Sequence, residues 1–222
     1  MPSGRIRYEF PSLRVPFPDL TVRHAVREFT RRLAPGIVLD IRGNPGGADR
    51  LVPLMMRYLV ERPMFYERAT YFDEKAGRFV ADPRSVLRVE PDEHPWRGPV
   101  VTIIDERCGS SCEGIAMVMR RRPHSEVLGY ASTEGAFGMA PASLALPAGI
   151  TIEYPNGQSV DSAGRVQIDS DWSDAGGVAP TIRIPTTMER LRRRYVEGGD
   201  PLLEEAQELL RRMRAQIPAY HE

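Results

Sequence analysis

Two short apolar runs constrain the fold more than anything else in this protein. Residues 37–41 read Ile-Val-Leu-Asp-Ile, and residues 99–105 carry Val-Val-Thr-Ile-Ile at their centre. Runs this short and this apolar leave no face for water, so they suit strands covered on both sides. Each passes directly into a turn of small residues and then into a segment with apolar residues at helical spacing. Strand, turn and helix in that order are the unit of an α/β domain.

The rest of the sequence fits the same scheme. Residues 5–10 read as a short alternating strand ahead of a proline-rich loop. The spacing of Leu20, Val22, Ala25, Val26, Phe29 and Leu33 predicts a helix that Pro35-Gly36 stops. A second helix is expected over 51–60, a hairpin over 65–72 and 77–80, and a surface loop over the proline- and charge-rich stretch 82–98. A helix over 112–122 closes at Pro123 and leads to a strand over 126–129. A hairpin over 144–146 and 150–154 turns at Pro147-Ala148-Gly149. A last strand at 181–184 precedes helices over 186–196 and 201–213, the second starting at an Asp200 cap before Pro201. The 222 residues fit one domain over 1–222, closed by C-terminal helices near 186–213.

Composition excludes several classes of function. Thirty basic and thirty acidic residues give zero formal charge, so nothing marks a nucleic-acid partner. The Arg120–Arg122 and Arg192–Arg194 runs read as solvated helix ends. No apolar run reaches the roughly 20 residues of a membrane span, and the start is too polar for a signal peptide. A cytoplasmic location is expected for the sequence as given, and a secreted or periplasmic one if it is a domain cut from a processed protein. No metal or cofactor is expected. The acidic stretch 169–174 lacks the glycine and closing glutamate of a calcium loop.

Chemistry concentrates in the two strand-to-turn junctions. After the first strand comes Arg42-Gly43-Asn44-Pro45-Gly46-Gly47, whose glycines let backbone N–H groups approach a ligand. It lacks the patterns of a P-loop or dinucleotide site, and a tight turn with no ligand is the plain alternative. After the second strand comes Asp105-Glu106-Arg107-Cys108-Gly109-Ser110-Ser111-Cys112-Glu113. A serine in a sharp turn before a helix presents its oxygen beside free helical N–H groups, where negative charge is favoured. The alternative is that Ser110 or Ser111 merely caps the helix. Cys108 and Cys112 bracket the turn. They read as two small buried residues, with a disulfide or a reactive Cys112 thiolate as alternatives.

Together these segments, with Val127-Leu128-Gly129, Leu146-Pro147-Ala148-Gly149 and Gly177-Val178-Ala179-Pro180, resemble the core of the S41 serine peptidases. These include the C-terminal processing (tail-specific) proteases and the tricorn core protease. The resemblance runs from about residue 5 to 212 and implies a ClpP/crotonase-like core of stacked ββα units. It implies Ser110 as nucleophile, three residues before Glu113, and an oxyanion hole from the backbone of Ser111 and of the turn near Gly46 and Gly47. Asp174, three residues before Gly177, occupies the place of a tricorn-type carboxylate. A peptide or protein substrate is implied, bound as an added strand, and a homo-oligomer is an open expectation.

The sequence departs from the family at the base. Where the tail-specific branch carries a lysine, this protein has Glu134-Gly135-Ala136, and its only lysine, Lys75, falls in the expected hairpin. The sequence as given is expected to lack the PDZ and N-terminal helical regions of the tail-specific branch. His24, His94, His124 and His221 read as surface residues. A serine needs a proton acceptor to attack. Three readings follow: a serine hydrolase with its base at Glu134, Asp174 or His124 or on another subunit; a non-hydrolytic peptide or small-ligand binding module; or crotonase-like acyl chemistry at the same oxyanion hole.

Overall fold

Both apolar runs form strands, and they pair with each other. In the computed structural model, which describes residues 18–138, 141–167 and 176–216, strand β1 (Ile37–Asp40) runs parallel to β4 (Val100–Ile103), with Ile37 opposite Val100. Strands β5 (Ser125–Gly129) and β9 (Ile182–Arg183) extend this parallel sheet in the order β1-β4-β5-β9. The side-chain period of two divides each strand between two cores. On one face Ile37, Leu39, Ile41, Val100 and Ile104 join a cluster with α1 (Pro18–Arg31), α2 (Leu51–Met56) and α3 (Ser111–Arg121). On the other, Val101, Ile103 and Leu128 pack against Leu202, Ala206, Leu209 and Leu210 of α5 (Pro201–Gln216). Burial on both faces is why these strands read as unbroken apolar runs.

A second, antiparallel sheet lies beyond α3. Strand β2 (Met64–Asp73) sits between β3 (Arg78–Val89) and β8 (Gly157–Val160). A third pair, β6 (Pro141–Ala145) and β7 (Thr151–Pro155), turns through a short 3-10 helix at Pro147–Gly149 and leaves Leu144, Ile150, Ile152 and Tyr154 exposed. Helix α4 (Met188–Tyr195) precedes α5, whose start Asp200 caps by accepting the Leu203 N–H at 3.2 Å. The mixed sheets and flanking helices make an α/β, ClpP/crotonase-like core.

Three expectations change. The stretch 82–98 is not all loop, because β3 continues to Val89, which pairs with Met64 and is fully buried. Register shifts between Phe65 and Glu67 and between Arg68 and Thr70 break the alternation that marks a strand. Strand β8 is an addition, since Gly157-Gln158-Ser159-Val160 has little strand propensity; it pairs with β2 from Arg68 to Tyr71. Helix α2 ends at Met56, after which Tyr58, Leu59 and Val60 bury in a turn. The strand expected over 5–10, the acidic stretch 169–174, Asp174 and His221 lie outside the described residues.

The segments after α2, before β4 and after α3 meet at one buried cation. Arg122, 3% exposed, donates to the carbonyls of Leu59, Trp96 (2.8 Å), Gly98 (2.9 Å), Pro123 (2.7 Å) and His124 (3.2 Å). A guanidinium's planar fork can serve so many acceptors at once, and an ammonium cannot. Arg122→Met should therefore lower unfolding free energy by about 3 kcal/mol, because it orphans buried carbonyls. Arg122→Lys should recover less than half of that loss. Urea denaturation of the three proteins checks both expectations.

Candidate active site

The two turns leave the carboxyl ends of adjacent parallel strands, where open α/β sheets place their ligands. They are bonded to each other: the Gly109 N–H donates to the Asn44 carbonyl at 3.1 Å, and the Gly43 N–H to Asp105 Oδ1 at 2.8 Å. Asn44 is fully buried and its Oδ1 accepts the Gly46 N–H at 2.9 Å. Gly46, at φ +95°, presses against the second turn. A Cβ there would lie 2.5 Å from the Gly109 carbonyl oxygen, 2.8 Å from Ser110 Cβ and 2.8 Å from Ser111 N, so only glycine fits.

Ser110 occupies the N-cap position of α3 with φ 52° and ψ −127°. An ordinary N-cap serine sits in the extended region, whereas Ser110 takes part in a capping box with Glu113 from this unusual backbone conformation. A non-glycine residue in this sparsely populated region costs about 1–3 kcal/mol and marks a built turn. Capping alone does not account for it. Ser110 is half-buried, Ser111 is buried, and Gly47 is exposed at the mouth of the turn.

Glu113 fastens this turn from below. Its carboxylate is fully buried and accepts four hydrogen bonds: from the Ser110 N–H (3.0 Å), Thr133 Oγ1 (2.7 Å), the Gly135 N–H (2.7 Å) and the Ala136 N–H (2.7 Å). Burial pushes its pKa up, and the four donors work against that. Thr133 Oγ1 already accepts the Val178 N–H at 2.6 Å, so its own hydrogen must point at Glu113. Each of these four partners thus donates and none accepts, and Glu113 is therefore ionised. The Ser-x-x-Glu spacing of a capping box signals this residue in the sequence.

Two further acids, Asp49 and Glu67, lie near each other, and Asp49 is bonded to Ser111. Ser111 Oγ is 2.6 Å from Asp49 Oδ1 and 3.0 Å from the Gly47 carbonyl. Burial raises the Asp49 pKa, and the Ser111 hydrogen bond opposes the rise. Glu67 on β2, 3% exposed, is pushed up to about 7, first by burial and then by the Asp49 charge, against a hydrogen bond with Ser159. The neighbouring Tyr66 hydroxyl is buried against Gly114 of α3, with no hydrogen-bond partner among the described residues. Nothing in the sequence pairs Asp49 with Glu67, because turn and strand meet only through the fold.

The other candidates separate. The Glu134 side chain lies over Gly109, where an added Cβ would meet its Oε2 at 2.0 Å, and the Glu134 N–H donates to the Cys108 carbonyl at 2.9 Å. His124 stands beyond the far end of α3, about 16 Å of helix from Ser110, which removes it as a base. Lys75 is at the exposed tip of the β2–β3 hairpin, and His24 and His94 are exposed elsewhere. Cys108 and Cys112 are buried free thiols, with their sulfurs 3.0 and 3.5 Å from the Ile41 carbonyl oxygen. The Cys112 thiol is pushed up by its contact with Cys108 and by burial, the opposite of a reactive thiolate.

The family model described as Peptidase family S41 matches residues 17–184. The protein belongs to peptidase family S41. It is 26% identical over 162 residues to the carboxy-terminal processing protease CtpB of Bacillus subtilis, spanning 72% of this sequence and 30% of that protein. Among solved structures it is similar to a candidate peptidase of Parabacteroides merdae, at TM-score 0.70 and 19% identity over 90% of this protein and 59% of the other. Mature CPAF in complex with lactacystin matches at TM-score 0.70 and 15% identity, over 91% of this protein and 49% of the other. The protein thus spans less than two thirds of the length of each. No helix among the described residues is long and apolar enough to cross a membrane.

Glu113→Gln would turn an amide N–H₂ toward groups that are all donors. We expect a loss of about 2–4 kcal/mol, measured by urea unfolding. Glu67 gives a pH signature. Its folded pKa stands above that of the unfolded protein, so its contribution to stability is complete below about pH 4.5 and is lost as pH rises through 7. Stability should fall by about 3 kcal/mol across that window from this group, and Glu67→Gln should flatten the slope.

Proposed function

We propose that this protein is the catalytic core of a serine peptidase in which Ser110 is the nucleophile. The strained Ser110 backbone, set against a glycine whose place admits no side chain, carries the reading. The N–H groups of Ser111 and Gly47 are the proposed oxyanion donors. The Gly46 N–H is already held by Asn44, so Gly46 acts as the spacer that keeps the Ser111 amide open.

The proposed base is Glu134. Among the carboxylates around the turn, Glu113 is saturated by donors, Asp49 is engaged with Ser111, and Asp105 is engaged with the Gly43 N–H and Arg107. Glu134 is exposed beside Gly109, and no described residue bonds its carboxylate. In the reaction, Ser110 Oγ attacks the peptide carbonyl while Glu134 takes its proton, and the carbonyl oxygen becomes an anion facing the two N–H groups. The amine leaves with the proton, and water then attacks the acyl-serine by the same route in reverse. The substrate is a peptide or protein bound as an extended strand. CtpB and the photosystem II D1 C-terminal processing protease are both named for work on carboxy termini, which makes a protein's carboxy terminus the favoured substrate class.

Labelling with a fluorophosphonate tests the core of this reading. The wild-type protein should be labelled at Ser110, and Ser110→Ala should abolish it. Gly46→Ala should cut the rate about 100-fold by crowding the Ser111 amide. Glu134→Gln should lower it about 10²–10⁴-fold and remove the acid limb of the pH profile. Peptide binding that survives Ser110→Ala, with no labelling of wild type, would show a binding module instead.

A further inference from the structure

We propose that Asp49 is a positioning residue which, in its protonated form, makes the Ser111 hydroxyl clip the Gly47 carbonyl and so holds the two amide donors of the site together. This rests on the reading of Ser110 and its oxyanion donors given above. A single hydrogen decides the arrangement. Ser111 Oγ lies within hydrogen-bond reach of both the Gly47 carbonyl at 3.0 Å and Asp49 Oδ1 at 2.6 Å. A hydroxyl donates once, and a carbonyl only accepts. If Asp49 is ionised, two acceptors compete for that hydrogen, and the charged one wins. The Gly47 carbonyl is then released. If Asp49 carries a proton, it donates to Ser111 Oγ, Ser111 donates to Gly47, and both contacts are satisfied.

The surroundings favour the proton. No other described residue bonds the Asp49 carboxyl, in contrast to the four donors on Glu113. The groups that face it are acids: Glu67 and Tyr66 from β2, with Cys112 of α3 beside Tyr66. Glu67 in turn is held by Ser159 of β8. Burial disfavours the Asp49 charge, and the repulsion between Asp49 and Glu67 disfavours both being ionised at once. On this proposal the two carboxyl groups around one turn take opposite states, Glu113 charged by its four donors and Asp49 carrying the proton.

Gly47 and Ser111 sit on different turns, and their two N–H groups must face one point to receive an oxyanion. The Ser111–Gly47 bond joins the turns beside those groups. As pH rises and Asp49 ionises, the bond is lost and the donors part. The pH–rate profile therefore acquires a falling limb on the alkaline side, distinct from the acid limb set by the base.

The rate of fluorophosphonate modification of Ser110 against pH tests this. Wild type should show the falling limb. Asp49→Asn, whose amide N–H₂ donates to Ser111 Oγ at every pH, should keep the low-pH rate and lose the limb. Asp49→Ala should be about 10- to 100-fold slower throughout. Glu67→Gln should move the limb to lower pH by removing a repelling charge. A limb retained in Asp49→Asn, or a wild-type rate in Asp49→Ala, overturns the proposal. Carbon-13 titration of the Asp49 carboxyl, read with the Gly47 amide shift, needs no activity. A midpoint above the ordinary aspartate range, shared by both signals, supports the clip even if Ser110 proves unreactive, which would sink only the nucleophile reading. An ordinary midpoint, or a Gly47 amide that does not follow it, overturns the clip itself.

Discussion

A carboxylate with no exposed surface holds three separate stretches of backbone together. Glu113 receives the N–H of Ser110 from the turn after β4, and the hydroxyl and two N–H groups of Thr133, Gly135 and Ala136 from the loop after β5. Thr133 passes the connection on to Val178, ahead of β9. An ion taken out of water is costly unless every lone pair is engaged, and here the engagement is what positions the site. The tolerated backbone strain at Ser110 follows from this, because the surrounding bonds leave that residue no relaxed alternative.

The glycine-rich turn is fixed by equally local means. Buried Asn44 binds the Gly46 N–H through its side chain and the Gly109 N–H through its carbonyl, while Asp105 binds the Gly43 N–H. Arg42 anchors the turn's start, forming two-pronged contacts to Asp40 and to Asp200 at the head of α5. Both layers of the fold thus bear on the same turn. The thiols of Cys108 and Cys112 add a shared contact with the Ile41 carbonyl and fill space without offering chemistry.

What the sequence revealed followed from local physics. The strands at Ile37–Asp40 and Val100–Ile103 were legible because burial on both faces forces an apolar run. The start of α5 was legible because Asp200 and Pro201 are a cap and a first-turn residue. The second half of β3 was hidden by register shifts opposite Phe65 and Arg68, and β8 by residues whose strand state depends wholly on β2. At the site, motif order pointed to the meeting of Gly46 and Gly47 with Ser110 and Ser111. The acids gave no such signal. Asp49 and Glu67 belong to a turn and a strand that approach only when β2 packs over α3, and Thr133 gives no sign of serving Glu113.

The first turn of α3 also bears on how the molecule would wear out. The Ser110 backbone, the Ser111 amide and the loop carrying Glu134 are moored at one short stretch of helix, and that stretch is itself buried. Loss of that turn would undo the proposed site and open the apolar cluster that holds Cys108 and Cys112 in one event. Heat would therefore take the proposed site and the fold together.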